Sequence, residues 1–328
     1  MSRLGRLRRS APVVAAGIVL SVTASGCVVV HGEREVLPGA KKSEAARALE
    51  DFTSAYNKAD KAYDPSLDAG RITGPLAAID GAKLKAGHTN NPSGNPAHRP
   101  LELTDARFAI PKKAGWPRWF LADTKANKGA PDSRWLLVFT RGDADDVWQV
   151  SYLTVLSADD VPRFAKDEDG WAEPVTPGDT RLAVTPAKLS TSYASYLRNG
   201  GEDFAPGTHT SGWRSLRKKN ASKPGLARQY VDEALTAGDY APVGLRTADG
   251  GALVFFSTRH FEKQTAAQGV DLEVTDPNIE ALLNGEVKQS LTLEFVSNQA
   301  VLDPPRTAAD PKVEFVSRVQ GLTAAHGE

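Results

Sequence analysis

Residues 115–152 read GWPRWFLADTKANKGAPDSRWLLVFTRGDADDVWQVSY. Apolar side chains fall on alternate positions: Trp119 and Leu121, then Trp135, Leu137 and Phe139, then Trp148, Val150 and Tyr152. A period of two puts alternate residues on one face of a pleated strand, so the spacing predicts three successive strands with a buried face each. The stretches between them, Lys125 to Asp132 and Gly142 to Asp146, are short and rich in Gly, Asp and Asn. Parallel neighbours need a longer crossover, so antiparallel pairing is expected. Phe108 and Ile110 extend the same meander toward the N-terminus.

Before the meander the period changes. Ser43 precedes an amphipathic pattern with Leu49, Phe52, Tyr56 and Tyr63 near one stripe, which Asp64-Pro65 ends, and a shorter helical segment carries Leu76, Ile79 and Leu84. A polar loop follows from Gly87 to Pro100. Helices first and a meander afterwards is an α+β order. Ser157 to Pro186 contains four prolines among many acids and marks a junction, although Trp171 and Val175 have the character to dock locally.

The order of elements then recurs. Thr185-Pro186 starts a helix with Leu189, Tyr193, Tyr196 and Leu197 on its stripe, and further helical pieces are expected around Trp213 and Leu216 and around Leu226, Tyr230 and Leu235. Strands are expected near Val243 to Arg246, Ala252 to Phe261, Gln289 to Ser297 and Val313 to Leu322, with a helical turn after Asp276-Pro277. Leu49 to Leu76 and Leu189 to Leu216 are both spaced by 27 residues. The expectation is an α+β chain of two similar domains, residues 41–157 and 185–328, each with N-terminal helices on a curved antiparallel sheet, joined by a Pro/Asp-rich linker over 158–184.

The N-terminus carries a different signal. Arg3, Arg6, Arg8 and Arg9 precede any acid, and Ala11 to Ala24 follow as an almost wholly apolar run. Fourteen residues at 1.5 Å each reach about 21 Å, short of the ~30 Å hydrocarbon core, so an export signal is expected rather than a spanning helix. Ala24, Ser25 and Gly26 run directly into Cys27. In this the segment resembles the lipobox of bacterial lipoprotein signals, in which the cysteine sulfur receives a diacylglyceryl group and a dedicated peptidase cuts before it. Ala24 stands where that pattern usually has Leu. The resemblance implies a signal peptide of residues 1–26, cleavage between Gly26 and Cys27, lipid attachment (palmitate) at Cys27, and a tether over 27–40. A cut by the general signal peptidase, giving a secreted protein, and an uncleaved anchor stay open. So does the export route, because Arg8-Arg9 allows twin-arginine export while Ser10-Ala11-Pro12 lacks its hydrophobic follow-on. Two acyl chains hold a protein at a bilayer where one is marginal, which would place it on the extracytoplasmic face of the cell membrane.

The whole chain has 40 Lys+Arg against 40 Asp+Glu; removal of residues 1–26 leaves 302 residues with 36 basic and 40 acidic, a net of −4. Such a body has no general attraction to nucleic acid or to anionic lipid. One cysteine excludes disulfide scaffolds, thiolate zinc sites and CxxC redox pairs, and the sole methionine, Met1, excludes thioether ligation. No cofactor is expected.

Chemical motifs are sparse. No two of the histidines His31, His88, His98, His209, His260 and His326 stand at the spacing of helical metal ligands, so no metal site is expected, and His88 and His98 read as solvated loop residues. Asp167, Asp169 and Gly170 fail an EF-hand register, because its first and twelfth ligands would be Ala165 and Thr176. Ser215 and Lys218 give an SxxK spacing without the companion KTG motif, inside the basic run Arg214, Arg217, Lys218, Lys219 and Lys223, which reads as a charged helix face and alternatively as a contact for anionic wall polymer or headgroups. Asp123 and His260, both on expected strands, are the candidates for acid–base chemistry in a desolvated pocket. Trp116, Trp119, Trp135 and Trp148 read as sheet core rather than a sugar-stacking groove.

A long helix, shorter helices and a curved meander resemble the nuclear-transport-factor-2-like cone, with the cystatin-like sheet as the near alternative. The mature chain is also similar to an uncharacterised family of actinobacterial lipoproteins carrying a domain of unknown function, through GWPRWFLADTKAN (Gly115 to Asn127), RWLLVFTRG (Arg134 to Gly142) and DGWAEPV (Asp169 to Val175). These resemblances supply no known activity; the expectation is a lipid-anchored binding or scaffolding module facing an envelope protein or cell-wall ligand, with an enzyme using a cone pocket as the alternative.

Overall fold

The computed structural model describes residues 35–328; the signal segment, Gly26, Cys27 and the start of the expected tether lie outside the described residues. The described chain begins with Leu37–Pro38 (β1), followed by Lys42–Ala62 (α1) and Gly74–Asn90 (α2). Glu44 Oε2 accepts the Lys41 N–H at 3.3 Å where α1 starts, and Tyr63, left-handed at φ 51°, closes it. Tyr63 therefore caps the helix instead of joining its apolar stripe. Leu103–Ala109 (β2), Lys112–Lys113 (β3), Arg118–Ala126 (β4), Ser133–Arg141 (β5) and Gln149–Ser157 (β6) follow. β2, β4, β5 and β6 form an antiparallel sheet in that order, while β3 pairs with β1, so the end of the expected tether is already part of the fold.

After the 158–185 segment come Leu189–Asn199 (α3), Ser211–Asn220 (α4), Ser222–Lys223 (β7), Leu226–Leu235 (β8), Val243–Arg246 (β9), Ala252–Ala266 (β10), Pro277–Leu282 (α5), Leu283–Asn284 (β11), Ser290–Asp303 (β12) and Glu314–Gly327 (β13). The second sheet runs β11-β13-β12-β10-β8-β7, and β9 takes over from β8 along the same edge of β10. Only the β11–β13 pair in it is parallel. The chain is α+β, with more strand than helix.

Leu226–Leu235 overturns an expectation, since its Leu226 and Tyr230 at helical spacing sit on a strand. All ten of its residues pair with β10, and its inward positions alternate, half-buried at Arg228 and Tyr230 and buried at Asp232. A long partner strand outweighs the local helical pattern.

Strand alternation explains how the layers stack. Phe120 and Ala122 on β4 and Leu137 and Phe139 on β5 face α1, where they meet Leu49 and Phe52. Their neighbours Trp119, Leu121, Leu136 and Val138 face the other way, onto Leu245, Leu253, Phe255 and Ala300 of the second sheet. The opposite face of that sheet, with Val254, Phe256 and Val301, packs under α3 through Leu189, Tyr193 and Leu197. Helix, sheet, sheet and helix thus form four layers, with a core shared between the two sheets. α2 crosses from the first half to lie against β13, β12 and α5. Gly74 sits at its start at φ +54°, where a Cβ would fall 2.3 Å from the Asp239 carbonyl oxygen; only glycine fits that approach. Trp171 docks on the first core and Val175 on the second.

Candidate functional site

The shared face of the first sheet changes character along its strands. On β4 it runs Trp119, Leu121, Asp123, and on β5 it runs Val138, Leu136, Arg134, so the apolar surface gives way to a charged pair. There residues 158–172 fold over the sheet, and a cavity of about 680 Å³ opens between them. The strap is held by backbone bonds from Ala172 N to the Ile110 carbonyl (3.1 Å) and from Ala165 N to the Arg246 carbonyl (2.9 Å). The Asp167 Oδ1 accepts the N–H groups of Asp169 and Trp171 at 3.0 and 2.9 Å, and Lys112 reaches Asp167 at 3.0 Å. The acidic loop that fails the calcium register is a turn pinned to a lysine.

Arg134 anchors the cavity. It is 6% exposed, and its Nε donates to Asp123 Oδ1 at 2.6 Å and its Nη1 to Asp105 Oδ2 at 2.7 Å. Its Nη2 donates to the backbone carbonyls of Asp105 (2.9 Å) and Asp123 (3.0 Å). Asp105 can offer both groups because the β2–β4 ladder bulges between Thr104 and Arg107, with Asp105 left-handed at φ 47°. The Arg134 hydrogen bond and the nearby Arg107 charge hold the Asp105 carboxyl below its ordinary range. Half-buried Phe108, Phe164 and Trp171 line the same cavity. Lys42, Lys125, Arg163 and Lys166 lie on its exposed rim, and among the described residues they form no ion pair.

The two acid–base candidates are not brought together. Asp123 lies in this cavity, bound to Arg134. His260 lies on β10, 2% exposed, stacked on Phe295 with ring centres 4.8 Å apart and 9° between planes. Burial, reinforced by the Arg217 and Arg318 charges, drives its pKa down to about 3, so its ring is neutral at physiological pH. Arg134 and Asp105 were not singled out from the sequence. Arg134 carried no readable signal, because it lies with Leu136 on the face opposite the one marked by Trp135, Leu137 and Phe139, and that face is buried only by the second sheet and the 158–172 strap. The Asp105 bulge left none.

The remaining motifs resolve as structural groups. His98 Nδ1 lies 2.7 Å from Asp60 Oδ2, and among the described residues no set of three His, Cys, Asp or Glu side chains is grouped to hold a metal ion. Trp119 and Trp148 are core residues, and Trp116 carries the Arg118 guanidinium at 4.6 Å from its ring centre. Ser215 and Lys218 share α4 and line a separate cleft. Among the described residues no helix is long and apolar enough to cross a membrane.

A family model described as a domain of unknown function (DUF8094) matches residues 36–327. An uncharacterized lipoprotein of Streptomyces avermitilis is 67% identical over 99% of this chain and 97% of its own length. Two uncharacterized lipoproteins of Streptomyces coelicolor are 62% identical (98% and 97% covered) and 26% identical (97% and 93% covered). No solved structure matches.

Proposed function

The chain belongs to the family of the domain of unknown function DUF8094, and from that premise we propose that it is a binding module held by lipid on Cys27 at the extracytoplasmic face of the cell membrane. In this reading residues 1–26 are removed before Cys27, and 41–157 and 185–328 are two α+β units on one plan joined by 158–184. Each is a helix-on-sheet relative of the cone in which aromatic side chains fill the interior. The names of the Streptomyces relatives support the anchor.

The ligand site is the 680 Å³ cavity. The observation that carries binding over catalysis is the state of Asp123, whose carboxylate is engaged by Arg134 at 2.6 Å in a buried pair, while the groups around it are those of recognition. Aromatic side chains accept a flat ring or apolar face, and the rim cations favour negative charge at its edge. An envelope component of that chemistry, a wall glycan or an envelope protein, is the proposed partner.

Two measurements test the reading. Protein taken from its own membrane should have the mass of a diacylated chain starting at Cys27, and Cys27→Ser should move it to the soluble fraction; an unmodified chain starting elsewhere refutes the anchor. Lys125→Glu with Arg163→Glu should weaken co-sedimentation with isolated cell walls several-fold. Equal sedimentation refutes the site, and a turnover lost in Asp123→Asn with folding intact would make the protein an enzyme.

A further inference from the structure

We propose that the cleft between α3 and α4 is a second binding site, specific for phosphate esters. The cleft, about 530 Å³, is lined by Arg198, Arg214, Arg217 and Lys218, against one acid, Asp232. Arg217 is committed to that acid: Nη1 and Nη2 donate to its two oxygens at 2.7 and 2.9 Å. Among the described residues Arg198, Arg214 and Lys218 pair with no carboxylate, which leaves three uncompensated cations around one concavity. The mature chain carries a net charge of −4, so this excess is a local arrangement.

The site is also set before a ligand arrives. The Arg214 guanidinium lies over the Tyr196 ring at 5.4 Å and against the bare backbone of Gly200, where a Cβ would fall 2.9 Å from Nη1. Arg217 is 6% exposed and lies over the Trp213 and Tyr230 rings, and its buried Nε has no partner among the described residues. Ser211 Oγ accepts the Gly207 N–H at 3.3 Å, leaving its proton to donate. Two guanidinium forks, an ammonium and a hydroxyl line the cleft, Arg198 from α3 and Ser211, Arg214 and Lys218 from α4. A planar carboxylate is satisfied by one fork, whereas a tetrahedral phosphate group presents acceptor oxygens in several directions and more charge. The cleft exceeds the size of one phosphate group, so an organic ester accompanies it. The source is either a soluble phosphate ester or the headgroup of an anionic lipid in the membrane.

The test titrates the full lipidated protein in neutral-detergent micelles, reading tryptophan fluorescence, since Trp213 stacks on Arg217. Glycerol 3-phosphate is one probe; micelles doped with phosphatidylglycerol, against phosphatidylcholine, are the other. Saturable binding of either is expected, weakened at least tenfold by Arg198→Gln with Arg214→Gln, weakened less by the exposed Lys218→Gln, unchanged by Lys85→Gln on α2, and reduced by added salt. The probe that binds identifies the source. No saturable binding of either probe overturns the proposal, as does equal loss in the Lys85 variant. Should the double variant misfold, Lys218→Gln decides alone: no weakening there overturns it.

Discussion

Arg134–Asp123 in the first half and Arg217–Asp232 in the second are the same ion pair in opposite surroundings. All four residues are under a tenth exposed. Around Arg134 stand a second carboxylate, Asp105, and two backbone carbonyls. Around Arg217 stand two aromatic rings and further cations, Arg318 among them. The first pair is over-supplied with acceptors and the second depends on one. A buried charge is tolerated only with its partners, so redundancy decides what each pair does for stability. The largest expected effect follows: Asp232→Asn should destabilise by about 3–5 kcal/mol, because Arg217 is left buried without its countercharge and with an NH2 group facing one of its donors. Asp123→Asn should cost about 1–2 kcal/mol, because Asp105 and the carbonyls remain. Urea unfolding of both variants ranks them, and equal losses would break the comparison.

The seam between the halves is next. Gly74→Ala places a methyl group against the Asp239 carbonyl at a left-handed position, and Thr73 Oγ1 donates to Asp239 Oδ2 beside it. A loss of about 2–3 kcal/mol is expected, read as a lower urea midpoint in one transition. Two separated transitions would instead show that the sheets unfold independently despite their shared core.

Protonation separates the halves further. Asp68 has no exposed surface; burial and the neighbouring Asp80 charge raise its pKa to about 7. Asp303 is equally buried, and burial raises it to about 7 although the Val184 N–H donates to it at 3.3 Å. Between the unfolded carboxylate range and pH 7 the native state holds the extra proton, so each contributes stability that is lost as pH rises through that window. His260 has the opposite sign: with a native pKa near 3 it favours unfolding wherever the unfolded ring is protonated, so its contribution recovers between about pH 3 and 6.5. Asp303 and His260 thus oppose each other in the second half, and in the first half the raised Asp68 and Asp80 are opposed by the lowered Asp60 and Asp105. Asp68→Asn should flatten the decline between pH 4 and 7 by on the order of 2 kcal/mol, and Asp303→Asn should flatten it as well, because the decline from Asp303 is removed while the rise from His260 remains. Stability against pH by chemical denaturation checks both, and an unchanged slope in Asp68→Asn would refute the assignment.

What the residues disclosed follows the same physics. Alternation located β4, β5 and β6 and one buried face of each; the burial of the opposite faces comes from the helix and the second sheet that pack on them, which the pattern does not disclose. On β4 the marked face, Trp119 and Leu121, also carries Asp123, whereas on β5 the marked face is the one toward α1 and Arg134 lies on the other. Leu226 to Leu235 was misread because its pattern fits a helix when seen alone, and only pairing along β10 decides otherwise. The cleft at α3 and α4 was legible as a basic run, Arg214 to Lys223, but Arg198 and Asp232 join it from other elements, which spacing does not reveal.

The smallest effect addresses the equal spacing of Leu49–Leu76 and Leu189–Leu216. Leu49, Leu76 and Leu189 are 6%, 5% and 0% exposed, whereas Leu216 is 47% exposed on α4. Equal numbers of residues therefore lead to a core position in one half and a surface position in the other, because α2 turns across onto the second sheet and α4 lies at the rim of a cleft. Truncating Leu76 to Ala should cost about 2–4 kcal/mol through lost burial and a residual cavity. Truncating Leu216 to Ala should stay within about 0.5 kcal/mol. Matching losses in urea midpoints would restore Leu76 and Leu216 as equivalent positions of a repeated plan; the expected gap makes their common spacing a coincidence, and any repetition must then be sought in the helix-on-sheet order alone.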